Sequence, residues 1–214
     1  QVLQKLNITI DSTPPQAVNL DTLYEQPLIE NPSKKAGLKI LSQMVAAAFC
    51  SEPSLHPQII FTMVNICQHY GHSSIAPFAY VQYGLCLCAT VENIPEGYQY
   101  GKLAWQLLDR LQAKAVSCKV GLVFNSFIRC WQEHLQASID PLYASIEDGL
   151  ETGDLEFAGY CSMMAALYTY HIGTPLHVTQ ERLLANTNFS RRIQQEHPYI
   201  NGCIWGQLVE NLQA

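Results

Sequence analysis

Apolar residues recur along the chain at intervals of three and four, and proline and glycine interrupt them at helix-length distances. That is the spacing of one face of an α-helix, not the alternation of a half-buried strand. Asn31-Pro32, Asp140-Pro141 and Thr174-Pro175 each set a capping side chain before a proline. Such a pair starts a helix, because the cap satisfies an orphan N–H and proline has none to lose. Gly71, Gly153 and Gly173 close apolar runs and suit the left-handed cap that ends a helix. Between these marks the pattern predicts helices over 33–50, 56–70, 74–91, 95–111, 114–135, 141–152, 155–172, 176–195 and 201–212. Residues 1–30 are less regular: VLQKL reads as a helix end, DSTPP as a loop and LDTLY as one short helix. This stretch is expected to be an N-terminal linker or the end of a preceding module, followed by a helical-repeat domain over 31–214. The β-branched residues do not alternate with polar ones, so the expected fold is all-α.

A longer period overlies the helical one. Gly71, Gln112 and Gly153 follow one another by 41 residues, and each precedes a helix of similar texture. With the three segments superimposed, Ile75, Val116 and Phe157 share a column, as do Ala76, Ser117 and Ala158, and again Gly84, Asn125 and Ala166. Large apolar, small and small again are the columns that interdigitating helices need. A period near 41 predicts a right-handed α–α superhelix of tetratricopeptide-like hairpins, each covering one face with its neighbour. The other reading is an irregular helical bundle. At Gln112-Ala113 the glycine and capping residue of the other two turns are replaced, which predicts an irregular middle turn.

Composition narrows the function classes. Hydrophobic residues make up 48% and charged ones 14%, which suits a packed chain and not a disordered tail. The net charge of −6 and the scatter of the basic residues argue against a nucleic-acid-binding face. No run of about 20 apolar residues marks a membrane span. Gln1 and the absence of a signal-peptide pattern suggest a segment of a longer cytoplasmic protein. Of eight cysteines, Cys50, Cys67, Cys118, Cys130 and Cys161 sit in apolar helical runs, and Cys86 and Cys88 point apart on a helix. They are expected to be reduced and structural.

Several runs also resemble, in order and spacing, the helical segment of large bacterial multidomain sensor kinases. They are PLIENPSKKAGLKILSQMVAAAF, MVNICQHYGHSSIAPFAYVQYGLCLC, GYQYGKLAWQLLDRL, FNSFIRCWQEHL and GLETGDLEFAGY, within residues 27–175. LETGDLEFAGY also looks like the tetratricopeptide-like hairpins of bacterial signalling ATPases and transcriptional regulators. The resemblance implies a parent with a serine/threonine kinase domain, a P-loop ATPase, this helical region, a GAF domain and often a histidine kinase. None of the catalytic parts lies here: GxxxxGK[ST], a glycine-rich kinase loop, HRD and DFG are all missing. The segment would be a non-catalytic relay between ATPase and sensory modules.

Three constellations invite chemistry and are better explained otherwise. His69 and His72 are three apart, but Gly71 should end the helix between them and spoil a metal site. Glu147, Asp148, Glu151, Asp154 and Glu156 flank a turn, with Asp154 as N-cap and Glu156 in the first helical turn. Ser126, Cys130 and His134 lie on successive turns without an acidic orienter or oxyanion donors. What remains is a surface. Tetratricopeptide geometry sets Phe78, Val81, Leu85 and Cys88 on the concave side, then Lys119, Leu122, Ser126 and Arg129, then Tyr160, Met163, Leu167, Tyr170 and His171. The aliphatic ones suit a core, whereas Lys119, Arg129, Tyr160, Tyr170 and His171 suit a groove for a protein partner or an adjacent domain. No cofactor, metal, nucleic acid or membrane is expected, and a homodimer is compatible with such a face. The tyrosines at 80, 83, 160, 168 and 170 also permit the alternative of a small-molecule sensor pocket inside the superhelix.

Overall fold

The computed structural model describes residues 2–214. They form two compact units, one running to Val116 and the other from Ser117 to Ala214. The described residues are helical and contain no strand; Leu28 and His72 form an isolated parallel bridge. No helix among them is long and apolar enough to cross a membrane.

The first unit holds α1 (Val2–Lys5), α2 (Leu20–Tyr24), α3 (Pro32–Ser51), α4 (Leu55–Tyr70), α5 (Ala76–Thr90) and α6 (Ile94–Arg110). The starts follow local chemistry. Asn19 Oδ1 accepts from Asp21 N at 2.8 Å, and Asn31 Oδ1 accepts from Ser33 N at 3.0 Å with Pro32 behind it. At α6, Asn93 Oδ1 accepts from Glu96 N while Asn93 Nδ2 donates to Glu96 Oε2 at 2.6 Å, a reciprocal cap. Helix α5 is buried almost all round, as its apolar sequence requires, and packs on both α4 and α6. Its approach to α6 is close: a Cβ on Gly97 would lie 2.6 Å from Gly84 O and 2.5 Å from Cys88 Sγ. Residues before α3 pack on α4. Ile8, Leu23 and Ile29 are buried, Asp11 N donates to Thr62 Oγ1, and Gln68 Nε2 donates to Gln16 O. His72 N donates to Pro27 O and Ile29 N to His72 O, both at 2.8 Å. Gly71 departs from the expected left-handed cap, with φ +98° and ψ −178°. Its glycine is needed because a Cβ would meet Pro27 O at 2.5 Å.

Helix α7 (Lys114–Val123) leads into a π-helical turn, Phe124–Ile128, and a 3₁₀ turn, Arg129–Trp131. The single helix expected over 114–135 is therefore broken. Then follow α8 (Gln136–Thr152), α9 (Leu155–His171), α10 (Leu176–Arg192) and α11 (Glu196–Gln213). Other boundaries also differ, and α10 ends at Arg192 instead of 195. Pro141 lies inside α8 instead of opening it, and α11 begins five residues before the expected 201. Asp154 sits at the N-cap position of α9 but makes no capping bond; its carboxylate is 3.6 Å from Lys119 Nζ instead. In the second unit α8 packs on α9, α9 on α10 and α10 on α11. Cys118, Leu122, Ile139, Leu142, Ile146 and Cys161 belong to its core, and Ala166, Leu183 and Val209 make a second cluster. The thiols of Cys118 and Cys161 are 4.0 Å apart and behave as small packed groups. Cys50, by contrast, is exposed at the end of α3.

Among the described residues φ is positive at Asn7, Gly71, Glu92, Gln112, Gly153, Gly173 and Gln194, and of these Gly71, Gln112, Gly153 and Gln194 are 41 residues apart. Gln112 takes the turn with φ +48° and closes it with Nε2 on Asp109 O at 2.7 Å.

Candidate interaction surface

The break after α7 gives the second unit its most distinctive surface. A π turn fits an extra residue into the helix, so carbonyls lose their usual donors four residues on. Here Arg129 N reaches back five residues to Phe124 O. Side chains supply what the turn leaves open. Asn125, fully buried, donates from Nδ2 to Gly121 O at 2.9 Å. Tyr168 of α9 donates its hydroxyl to Ser126 O at 2.6 Å, and Cys130 Sγ points at the same oxygen. Burial pushes the Tyr168 phenol far above its ordinary range and raises the Cys130 thiol, so both stay protonated near neutrality. Ser126 Oγ is buried with no hydrogen-bond partner in the protein.

Outside this scaffold two aromatic rings face water. Phe127 is 44% exposed and Trp131 60% exposed, one turn apart, with Trp131 Nε1 donating to Phe127 O at 3.1 Å. Arg129 lies between them in sequence and is held by three bonds. Its Nε and Nη2 donate to Glu133 Oε2 at 2.9 and 2.7 Å, and Nη1 to Asn125 Oδ1 at 3.2 Å. Aromatic and arginine side chains already held in place lose little entropy on binding and make effective anchors. Phe127 and Trp131 escaped the sequence reading because aromatic residues four apart in an apolar run look like core.

The residues expected to line a groove each have neighbours within the second unit. Lys119 pairs with Asp154 and lies 4.9 Å over the Phe157 ring. Tyr160 meets Phe157 and, at 5.6 Å, His197 in the first turn of α11. Tyr170 and His171 both contact Trp205 of α11, at 5.4 and 5.6 Å. Three of the five thus pack on α11, whose early start brings His197 within reach. Arg129 alone belongs to the broken segment after α7, in its 3₁₀ turn. Among the aliphatic concave positions, Val81, Leu122 and Met163 are buried. Gly84 and Ala166 do sit at close helix contacts, whereas Asn125 is occupied in bracing the π turn.

The constellations weighed for catalysis are dispersed. His69 Nδ1 bonds to Asn65 O, and His72 Nε2 bonds to Tyr80 Oη. His134 Nδ1 accepts from Gln136 N, away from Ser126 and Cys130. No group of three or more His, Cys, Asp or Glu placed to hold a metal occurs among the described residues. Open clefts lie along the outer side of α3, about 700 Å³, and between α2 and α6, about 630 Å³, where Tyr24, Lys102 and Arg110 meet Asp21 and Asp109. No protein-family model, curated protein or solved structure matches the chain.

Proposed function

We propose that this chain is a non-catalytic interaction and relay module built of tetratricopeptide-like hairpins with a period near 41 residues. It serves a cytoplasmic signal-transduction kinase by docking a protein partner or an adjacent domain. The recurrence of positive φ at Gly71, Gln112, Gly153 and Gln194 supports the period. The motif resemblance supports the parent. The observation that carries the docking role is the exposed pair Phe127 and Trp131, one turn apart and tied together by the Trp131 Nε1 bond to Phe127 O.

The test titrates the chain against the kinase, ATPase and GAF modules of the parent polypeptide, each made separately. One of them should bind with a micromolar Kd, and Phe127→Ala with Trp131→Ala should weaken it at least about tenfold. The double variant should melt like the native chain, since both rings are largely in water. Binding that survives the double substitution overturns the assigned surface, and no binding to any module overturns docking to an adjacent domain.

A further inference from the structure

Residues 8–19 form neither helix nor strand, yet the hairpin of α3 and α4 holds them along a defined course. Four polar side chains of the hairpin bind the main chain of this segment, beginning at Asn7. Lys34 Nζ donates to Asn7 O at 2.6 Å, Asn65 Nδ2 to Thr13 O at 3.1 Å and Gln68 Nε2 to Gln16 O at 3.0 Å. Thr62 Oγ1 accepts from Asp11 N at 3.1 Å. Thr62, Asn65 and Gln68 are spaced by three, so they share one side of α4 and meet Asp11, Thr13 and Gln16 in the same order. Two side chains of the segment point inward. Ile8 is buried, and its Cδ1 fills the space that the missing Cβ of Gly37 leaves on α3. Pro15 is buried too, whereas Asp11 to Pro14, Gln16 and Ala17 are exposed.

This is how a groove takes an extended peptide: bonds to the main chain supply affinity, and pockets for a few side chains supply selectivity. Pro14 and Pro15 fix φ in the extended range, so the segment loses little entropy on docking. The resident segment nevertheless leaves the groove incompletely satisfied. Gln68 Oε1 is buried and has no hydrogen-bond partner among the described residues. A glutamine amide can accept as well as donate, and the two prolines bring no N–H to it. We propose that the α3–α4 hairpin is a groove for an extended segment of a partner protein, with an aliphatic residue for the Gly37 pocket and a proline seven residues on. Residues 8–16 occupy this groove in cis until the partner segment displaces them. With two inward side chains and a largely exposed backbone, they leave at far less cost than a packed helix would. The groove belongs to the first unit and shares no residue with the Phe127–Trp131 face, so either surface stands if the other fails.

The probe is a fluorescent synthetic peptide of residues 7–17, NITIDSTPPQA, followed by anisotropy. In the full chain, Ile8→Asp with Pro15→Asp vacates the groove without touching α3 or α4. The tether gives the resident segment an effective concentration of about 1 mM or more, so the native chain should bind the peptide at least about tenfold more weakly than the vacated chain. Adding Asn65→Ala and Gln68→Ala to the vacated chain should weaken binding at least about tenfold, and a peptide carrying Ile8→Asp and Pro15→Asp should not bind. Equal binding by native and vacated chains overturns the proposal, as does binding that survives loss of the two amides. So does a vacated chain that keeps its helical circular dichroism and binds no peptide up to about 1 mM. A second measurement needs no variant. Thermolysin should cut the native chain between Asn7 and Val18 several-fold faster with about 1 mM peptide than with a scrambled peptide, because the displaced segment is open to cleavage. Equal rates overturn the proposal even if the vacated chain does not fold.

Discussion

Acid should destabilise this protein through one buried histidine. The His72 side chain has no exposure, its Nε2 lies 2.9 Å from Tyr80 Oη, and its Nδ1 has no hydrogen-bond partner in the protein. Burial, with the nearby Arg110 charge, holds its pKa down at about 4 from an ordinary 6.5. Above pH 6.5 the ring is neutral whether folded or unfolded, so the contribution is fully present there. Between about 6.5 and 4 the unfolded chain takes up a proton that the folded chain refuses, so stability falls with pH. Below about 4 both states are protonated and the loss is complete. At about 1.4 kcal/mol per pH unit, the fall from 6.5 to about 4 amounts to about 3 kcal/mol at most. The assay is urea unfolding of the native chain and His72→Gln at intervals from pH 7.5 to 4. His56, also lowered by burial, and Asp11, lowered by its Thr13 hydrogen bonds, are common to both chains and cancel in the difference. The native chain should lose about 1 kcal/mol more per pH unit than the variant between pH 6 and 4.5. Parallel curves, or a His72 ring seen by NMR to titrate near 6.5, would refute the reasoning.

Two stability predictions concern the backbone. Tyr168→Phe removes the phenol donor to Ser126 O in the π turn and leaves that oxygen only the weaker Cys130 thiol of the two side-chain donors, so it should cost about 1 kcal/mol in thermal melts, the net worth of one hydrogen bond. An unchanged melting temperature would mean that water reaches that carbonyl. Gln194→Gly relieves a non-glycine residue held at φ +58°, and it should raise stability by up to about 1 kcal/mol, since the left-handed strain slightly exceeds glycine's entropy cost. A fall in melting temperature would show that the glutamine side chain contributes more than its backbone strain removes.

Helix starts and stops are legible from sequence where their cause is local. Asn31 before Pro32 opens α3, LDTLY is α2, and Gly153 closes α8 in the left-handed region at φ +78°. The all-helical character follows from the same short-range pattern, because a helix and the residue that ends it answer mainly to their own backbone. Local rules mislead where a distant group intervenes. Asp140-Pro141 looks like a helix start, yet α8 begins at Gln136 and tolerates the missing N–H of Pro141. Asp154 looks like a cap, but Lys119, 35 residues earlier, takes its carboxylate.

The candidate surface shows the same division more sharply. The composition of FNSFIRCWQEHL announces aromatic rings and an arginine, and nothing in its spacing distinguishes it from ordinary helix. The extra residue of the π turn is accommodated because Tyr168, 42 residues later, satisfies Ser126 O. That turn leaves Phe127 and Trp131 in water. The pairing of Arg129 with Glu133, four residues on, is local, but that of Lys119 with Asp154 is a matter of distance in space. Sequence by itself determined which segments are helical and where they turn, because hydrogen bonds between near neighbours and the φ preferences of single residues decide both. Which polar groups find partners and which rings stay in water was decided only by tertiary structure, since a side chain's neighbours across the core are set by packing and not by order along the chain.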